Sequence, residues 1–133
     1  MNAFSHLEGS SCSRIVTGKD GTMAYAFAMP ILSGKTPAAR GFIQEVLGLR
    51  KREYDDLQRR QGVTSERYYL QVSPEGDLII VTGEGTFTPP SQFLDVAGNP
   101  FDRWFIDQIQ DFTGINMLEL PEEMPELVGE WRP

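Results

Sequence analysis

Three groups of residues in this chain have types and spacings that bear on chemistry. The first is Gly34-Lys35-Thr36 in MPILSGKTPAARG at 29–41, which ends like a phosphate-binding loop. Such a loop needs a glycine five positions before Gly34, so that backbone N–H groups approach phosphates without a Cβ in the way. Met29 stands there, Pro30 removes a donor, and the apolar run LIIVTGE lacks the acidic residue that a magnesium-binding strand would supply. Thr36 as N-cap with Pro37 at the first helical position accounts for the same letters without a ligand. The second group, Gly83-Glu84-Gly85, has Thr88 where a dinucleotide fingerprint needs its third glycine, so it reads as a bulge or strand end. The third is Tyr25, Arg67, Tyr69 and Gln71, which would combine aromatic walls, a cation, hydroxyls and an amide if one cavity gathered them. These four are the ligand-binding candidates, for a small polar or anionic molecule, and the alternative for them is a dimer interface with satisfied polar groups.

Catalytic and metal chemistry have less to work with. Cys12 and His6 are the only residues of their types, too few to build a metal site without distant carboxylates or to supply a nucleophile with a histidine base in the folded region. No cofactor is expected. Nineteen acidic against twelve basic residues give a net charge of −7, which opposes attraction to nucleic acid and to anionic membranes. A lone cysteine permits no intrachain disulfide, MNAFSHLEGSSCSR lacks the pattern of a signal peptide, and no stretch approaches the ~20 apolar residues of a membrane span. The expectation is a cytoplasmic protein.

The elements that must position these residues follow from periodicity. Residues 1–22, rich in Ser, Gly and Thr, read as an arm or tail, and one domain spans 23–133, with Met23 a candidate natural start. Over 23–32 large residues alternate with small ones, which predicts a strand with Tyr25, Phe27 and Met29 on one face. Helical spacing of Phe42, Ile43, Val46, Leu47, Leu49, Tyr54 and Leu57 predicts one long helix over 36–61, ended by Gly62. Its charges Lys51 with Asp55 and Arg52 with Asp56 are spaced as i,i+4 pairs of a solvated face. Ser73-Pro74-Glu75-Gly76-Asp77 is the turn of a hairpin with strands over 66–73 and 78–84; Tyr68, Leu70 and Val72 share the face meant for the helices. Leu78 to Thr82 is apolar on both faces, as a strand covered on each side would be.

Asn99-Pro100 opens a second helix over 100–113, with Trp104 in its apolar stripe and Gly114 and Ile115 as a Schellman ending. Residues 126–131 are expected to form a last strand. The order β-α-β-β-α-β is the ferredoxin-like α+β arrangement, an antiparallel sheet with helices on one face. The face holding Tyr25, Phe27 and Met29 is too apolar to leave in water, so a homodimer through it is expected.

AYAFAMPILSGK at 24–35, GVTSERYYLQVSPEGDLIIV at 62–81, PFDRWFIDQIQDFTGI at 100–115 and the closing WRP resemble the dimeric α+β barrel superfamily, and within it a group of small uncharacterised bacterial proteins. The resemblance implies two ferredoxin-like subunits whose sheets face each other around a barrel, which in some members encloses a small-molecule pocket. It implies no established activity. The superfamily includes cofactor-independent monooxygenases and haem-degrading enzymes, so such a monooxygenase or an isomerase is the catalytic alternative to a ligand-binding protein. The haem-degrading relatives use an Asn, Trp and His constellation, and here the sole histidine, His6, lies in the arm.

Overall fold

The computed structural model describes residues 23–86, 88–120 and 125–133. The arm over 1–22, with His6 and Cys12, lies outside the described residues. A strand β1 (Met23–Pro30) is followed by helices α1 (Thr36–Val46) and α2 (Lys51–Gln61). The hairpin strands β2 (Val63–Gln71) and β3 (Leu78–Gly85) come next, then a single turn α3 (Pro90–Phe93), the helix α4 (Pro100–Thr113) and a 3₁₀ turn at Met117–Glu119. The sheet has three strands in the order β1-β3-β2, every neighbouring pair antiparallel, so the architecture is α+β.

The alternation predicted for β1 is present, but its two faces are exchanged relative to the sequence expectation. Pairing sets Tyr25 beside Gly83, Phe27 beside Val81 and Met29 beside Ile79, while on the far side of β3 Tyr68 lies beside Val81 and Leu70 beside Ile79. Tyr25, Phe27 and Met29 therefore share the face of Tyr68 and Leu70, and that face is the one under the helices. Tyr25 and Met29 are buried there with Phe42 and Val46 of α1, Tyr54 and Leu57 of α2, and Phe105, Ile109 and Phe112 of α4. The face left open carries the alanines of β1, with Leu78, Ile80 and Thr82 of β3 and Arg67, Tyr69 and Gln71 of β2. Val72 lies past the end of its strand and is exposed.

The helix expected over 36–61 is two helices. Gly48, a poor helix former, sits at the corner, and a Cβ there would come within 2.9 Å of the Gln44 carbonyl oxygen. The chain closes the corner with Arg50 N–H donating to the Glu45 carbonyl at 2.9 Å, and Leu47 and Leu49 are exposed on it rather than part of an apolar stripe. Arg50 then lies 4.2 Å over the Trp104 ring, which itself packs on Phe42 and Phe101. No element forms over 126–131. Pro125 and Pro133 flank that stretch, and its apolar residues Leu127, Val128 and Trp131 are all exposed instead of pairing along the sheet edge.

Helix ends behave as their residues dictate at α4: Asn99 Oδ1 accepts from the N–H of Phe101 and Asp102, and Gly114 takes a left-handed φ of 78°. At α1 the start is where expected but the cap is not. Thr36 is already helical, and its hydroxyl donates to Asp77 Oδ2 at 2.5 Å, tying the helix start to the residue before β3. Lys35 pairs with Asp111 of α4 at 3.1 Å, which uses the cation of the Gly-Lys-Thr sequence inside the fold. Of the expected pairs along α2, Lys51–Asp55 forms, whereas Asp56 takes Arg59 and Arg60 instead of Arg52.

Candidate functional site

The four sequence candidates are not brought together. Arg67, Tyr69 and Gln71 line the open face of β2, all exposed, and Tyr69 is half exposed. Tyr25 lies on the opposite, helix-covered face, where its hydroxyl meets a carboxylate that sequence reasoning did not single out.

That carboxylate is Glu66. It shares strand parity with Tyr68 and Leu70, so β2 aims it under the helices, and its position beside Gly83 places it in line with Tyr25 across the central strand. Gly83 is what permits the approach: a Cβ there would collide with the Tyr25 hydroxyl and lie 2.6 Å from the Ser65 carbonyl oxygen. Tyr25 donates to Glu66 Oε2 at 2.7 Å. On Oε1 converge the Tyr54 hydroxyl at 2.6 Å, the Gln58 side-chain amide at 2.6 Å and the Tyr68 hydroxyl at 3.0 Å. The Tyr54 and Tyr68 hydroxyls also contact each other. Tyr54 and Gln58 are one helical turn apart on α2, which is why both reach the same oxygen.

Every one of these donors is uncharged, and among the described residues no Lys or Arg pairs with Glu66. Burial, with the Glu66 charge acting in the same direction, pushes the hydroxyls of Tyr25, Tyr54 and Tyr68 above their ordinary range, so all three stay protonated donors at neutral pH. Gln58 Oε1, left over from the same cluster, is buried and accepts no bond from the described residues.

The cluster forms one wall of a cavity of about 200 Å³ between the sheet and the helices. Phe27, Met29, Val81, Phe105 and Ile109 supply an apolar lining, and Tyr54, Glu66 and Tyr68 supply the polar end. A second, more open hollow lies on the outer side of the same cluster, bordered by Lys51, Asp55 and Arg59. An apolar chamber with a few convergent polar groups is the usual form of a small-molecule site. Here its one charged group is an acceptor, which suits a ligand head that donates hydrogen bonds.

No protein-family model, curated protein or solved structure matches the chain. Among the described residues no helix is long and apolar enough to cross a membrane.

The residues of the site that sequence reasoning passed over are Glu66, Tyr54, Gln58 and Tyr68 as a group. One signal was available: an acidic residue at an inward position of an alternating strand must find donors or remain unsatisfied.

Proposed function

We propose that the protein binds a small molecule in the cavity walled by Glu66, and that it works as a homodimer of ferredoxin-like subunits whose open sheet faces meet in an α+β barrel. The observation that carries the binding reading is the cavity itself, mostly apolar in its lining, with the Glu66 carboxylate and the Tyr54 and Tyr68 hydroxyls at its polar end. The strand order β1-β3-β2, antiparallel throughout, supports the ferredoxin-like reading, since such a sheet has this order over its first three strands. Its fourth strand would lie beside β1. For the dimer the support is the two-sided apolar character of β3, whose Leu78 and Ile80 face away from the helices among the alanines of β1. Arg67 and Glu84 share that face with opposite charges, so two copies related by a two-fold axis can set Arg67 of one against Glu84 of the other. The dimer thus uses the face opposite to Tyr25, Phe27 and Met29. A cytoplasmic setting belongs to the same reading.

Light scattering at micromolar concentration is expected to report twice the 14.9 kDa chain mass. Ile80→Asp, which puts a charge in the middle of the joined faces, is expected to give a folded monomer. A wild-type monomer at that concentration overturns the dimer. For the cavity, benzene is expected to raise the melting temperature saturably, because cavities of about 150 Å³ with apolar walls hold such a ring. Ile109→Phe, which fills the space, is expected to remove the effect, and a wild-type protein indifferent to benzene would count against the site.

A second reading has one observation in its favour. A carboxylate at the end of a mostly apolar chamber can take a proton from a bound substrate, as a cofactor-independent isomerase or monooxygenase of the barrel type would require. Glu66 would be the base.

A further inference from the structure

Among the described residues the Glu66 cluster contains no cation, and it includes one buried acceptor without a donor, Gln58 Oε1. Its carboxylate is met by uncharged donors only, three on Oε1 and one on Oε2. The rings of Tyr54 and Tyr68 stand around the same point, with Phe105 in contact with Tyr54 at a centroid separation of 5.7 Å. A carboxylate held this way is best complemented by a ligand that brings positive charge, several N–H donors and tolerance for aromatic faces. A protonated primary amine has all three; a carboxylate or phosphate has none and would be repelled.

We infer that the cavity recognises a small primary amine, with the ammonium group against Glu66 and a compact apolar body among Phe27, Met29, Phe105 and Ile109. This rests on the cavity being a ligand site, as proposed above, and it names the class of molecule that site takes. The size allows one ring on a short chain, since about 150 Å³ holds a benzene ring and this chamber has about 200 Å³. The three un-ionised tyrosine hydroxyls and the Gln58 amide keep the carboxylate oriented, so the ammonium meets a fixed acceptor rather than a mobile side chain. Arg67, Tyr69 and Gln71, on the other side of the sheet, take no part.

The test is a calorimetric titration of the full chain with three compounds that share one apolar body: 2-phenylethylamine, 2-phenylethanol and phenylacetate. The amine is expected to bind about tenfold or more tighter than the alcohol, the margin of a charge-assisted hydrogen bond over a neutral one, and phenylacetate more weakly than either. Glu66→Gln keeps the shape and removes the charge, so it is expected to erase the gap between amine and alcohol. If the alcohol or phenylacetate binds the wild type as tightly as the amine, the amine assignment is overturned while the ligand site stands. If none of the three binds and benzene has no effect either, the site itself is overturned. The comparison among ligands uses the wild-type protein, so it decides the matter even if Glu66→Gln fails to fold.

Discussion

Arg60→Met is expected to lower the unfolding free energy by about 3–5 kcal/mol, the usual cost of stranding a buried charge by removing its partner. The midpoint of urea denaturation should fall accordingly with the slope unchanged. Asp102, the third residue of α4, has none of its side chain exposed. Its two oxygens each take a 2.8 Å bond from the Arg60 guanidinium, and one also accepts the Asp95 N–H. Arg60 in turn reaches the Phe93 carbonyl at 2.9 Å, so a single side chain fastens α2, α3 and α4 to one another. Without it the Asp102 carboxylate keeps only the Asp95 N–H as a hydrogen-bond partner in a fully buried position. Joint replacement of Arg60 and Asp102 by apolar residues of matching size is expected to recover most of the loss, because the cost lies in the orphaned charge rather than in the missing pair. A fall of less than about 1 kcal/mol in the single variant, the size typical of an exposed pair such as Lys51–Asp55, would show that Asp102 is solvated after all.

The second large effect lies at alkaline pH. Unfolded tyrosines ionise near pH 10, whereas burial and the neighbouring Glu66 charge hold the hydroxyls of Tyr54, Tyr68 and Tyr25 in the protonated form beyond it. Above that pH the folded chain binds more protons than the unfolded one, so stability falls as pH rises; below it the contribution is constant. Each tyrosine contributes a slope of up to about 1.4 kcal/mol per pH unit, and the three together act as one coupled group. Titration followed by near-ultraviolet absorbance and circular dichroism checks this. Of the four tyrosines, these three are expected to give their tyrosinate signal only as the circular dichroism collapses. Ionisation of all four around pH 10 with the fold intact would mean that the cluster is open to solvent.

Much of the fold is legible in the chain where the signal is local. Asn99, Pro100 and Gly114 bracket α4 because a cap and a left-handed terminator act through their own backbone neighbours. The hairpin is legible for the same reason. What local spacing leaves open is the choice between the two faces of a strand. Parity groups Tyr25 with Phe27 and Met29 but says nothing about which side the helices take; only the register with Val81, and through it with Tyr68, decides that. The helix over 36–61 keeps its apolar residues in approximate phase through Gly48, so the corner becomes visible only with the exposure of Leu47 and Leu49. The stretch 126–131 has apolar residues enough for a strand, yet it pairs with nothing among the described residues. The site was hidden for a further reason: Tyr25, Tyr54 and Glu66 come from β1, α2 and β2, and Tyr25 and Glu66 are 41 positions apart. No spacing rule joins them.

The bond between Tyr25 and Glu66 has a mechanical meaning. β1 and β2 are the two outer strands and share no backbone hydrogen bond, since β3 lies between them. A phenol of one strand nevertheless crosses over the central glycine to hold a carboxylate of the other. The sheet is thus cross-braced by side chains at right angles to its strands. Peeling β1 away would strip Glu66 of a donor, and peeling β2 away would leave the Tyr25 hydroxyl to be rehydrated. Fraying at one margin is thereby linked energetically to fraying at the other, which lets three short strands open as a single cooperative unit.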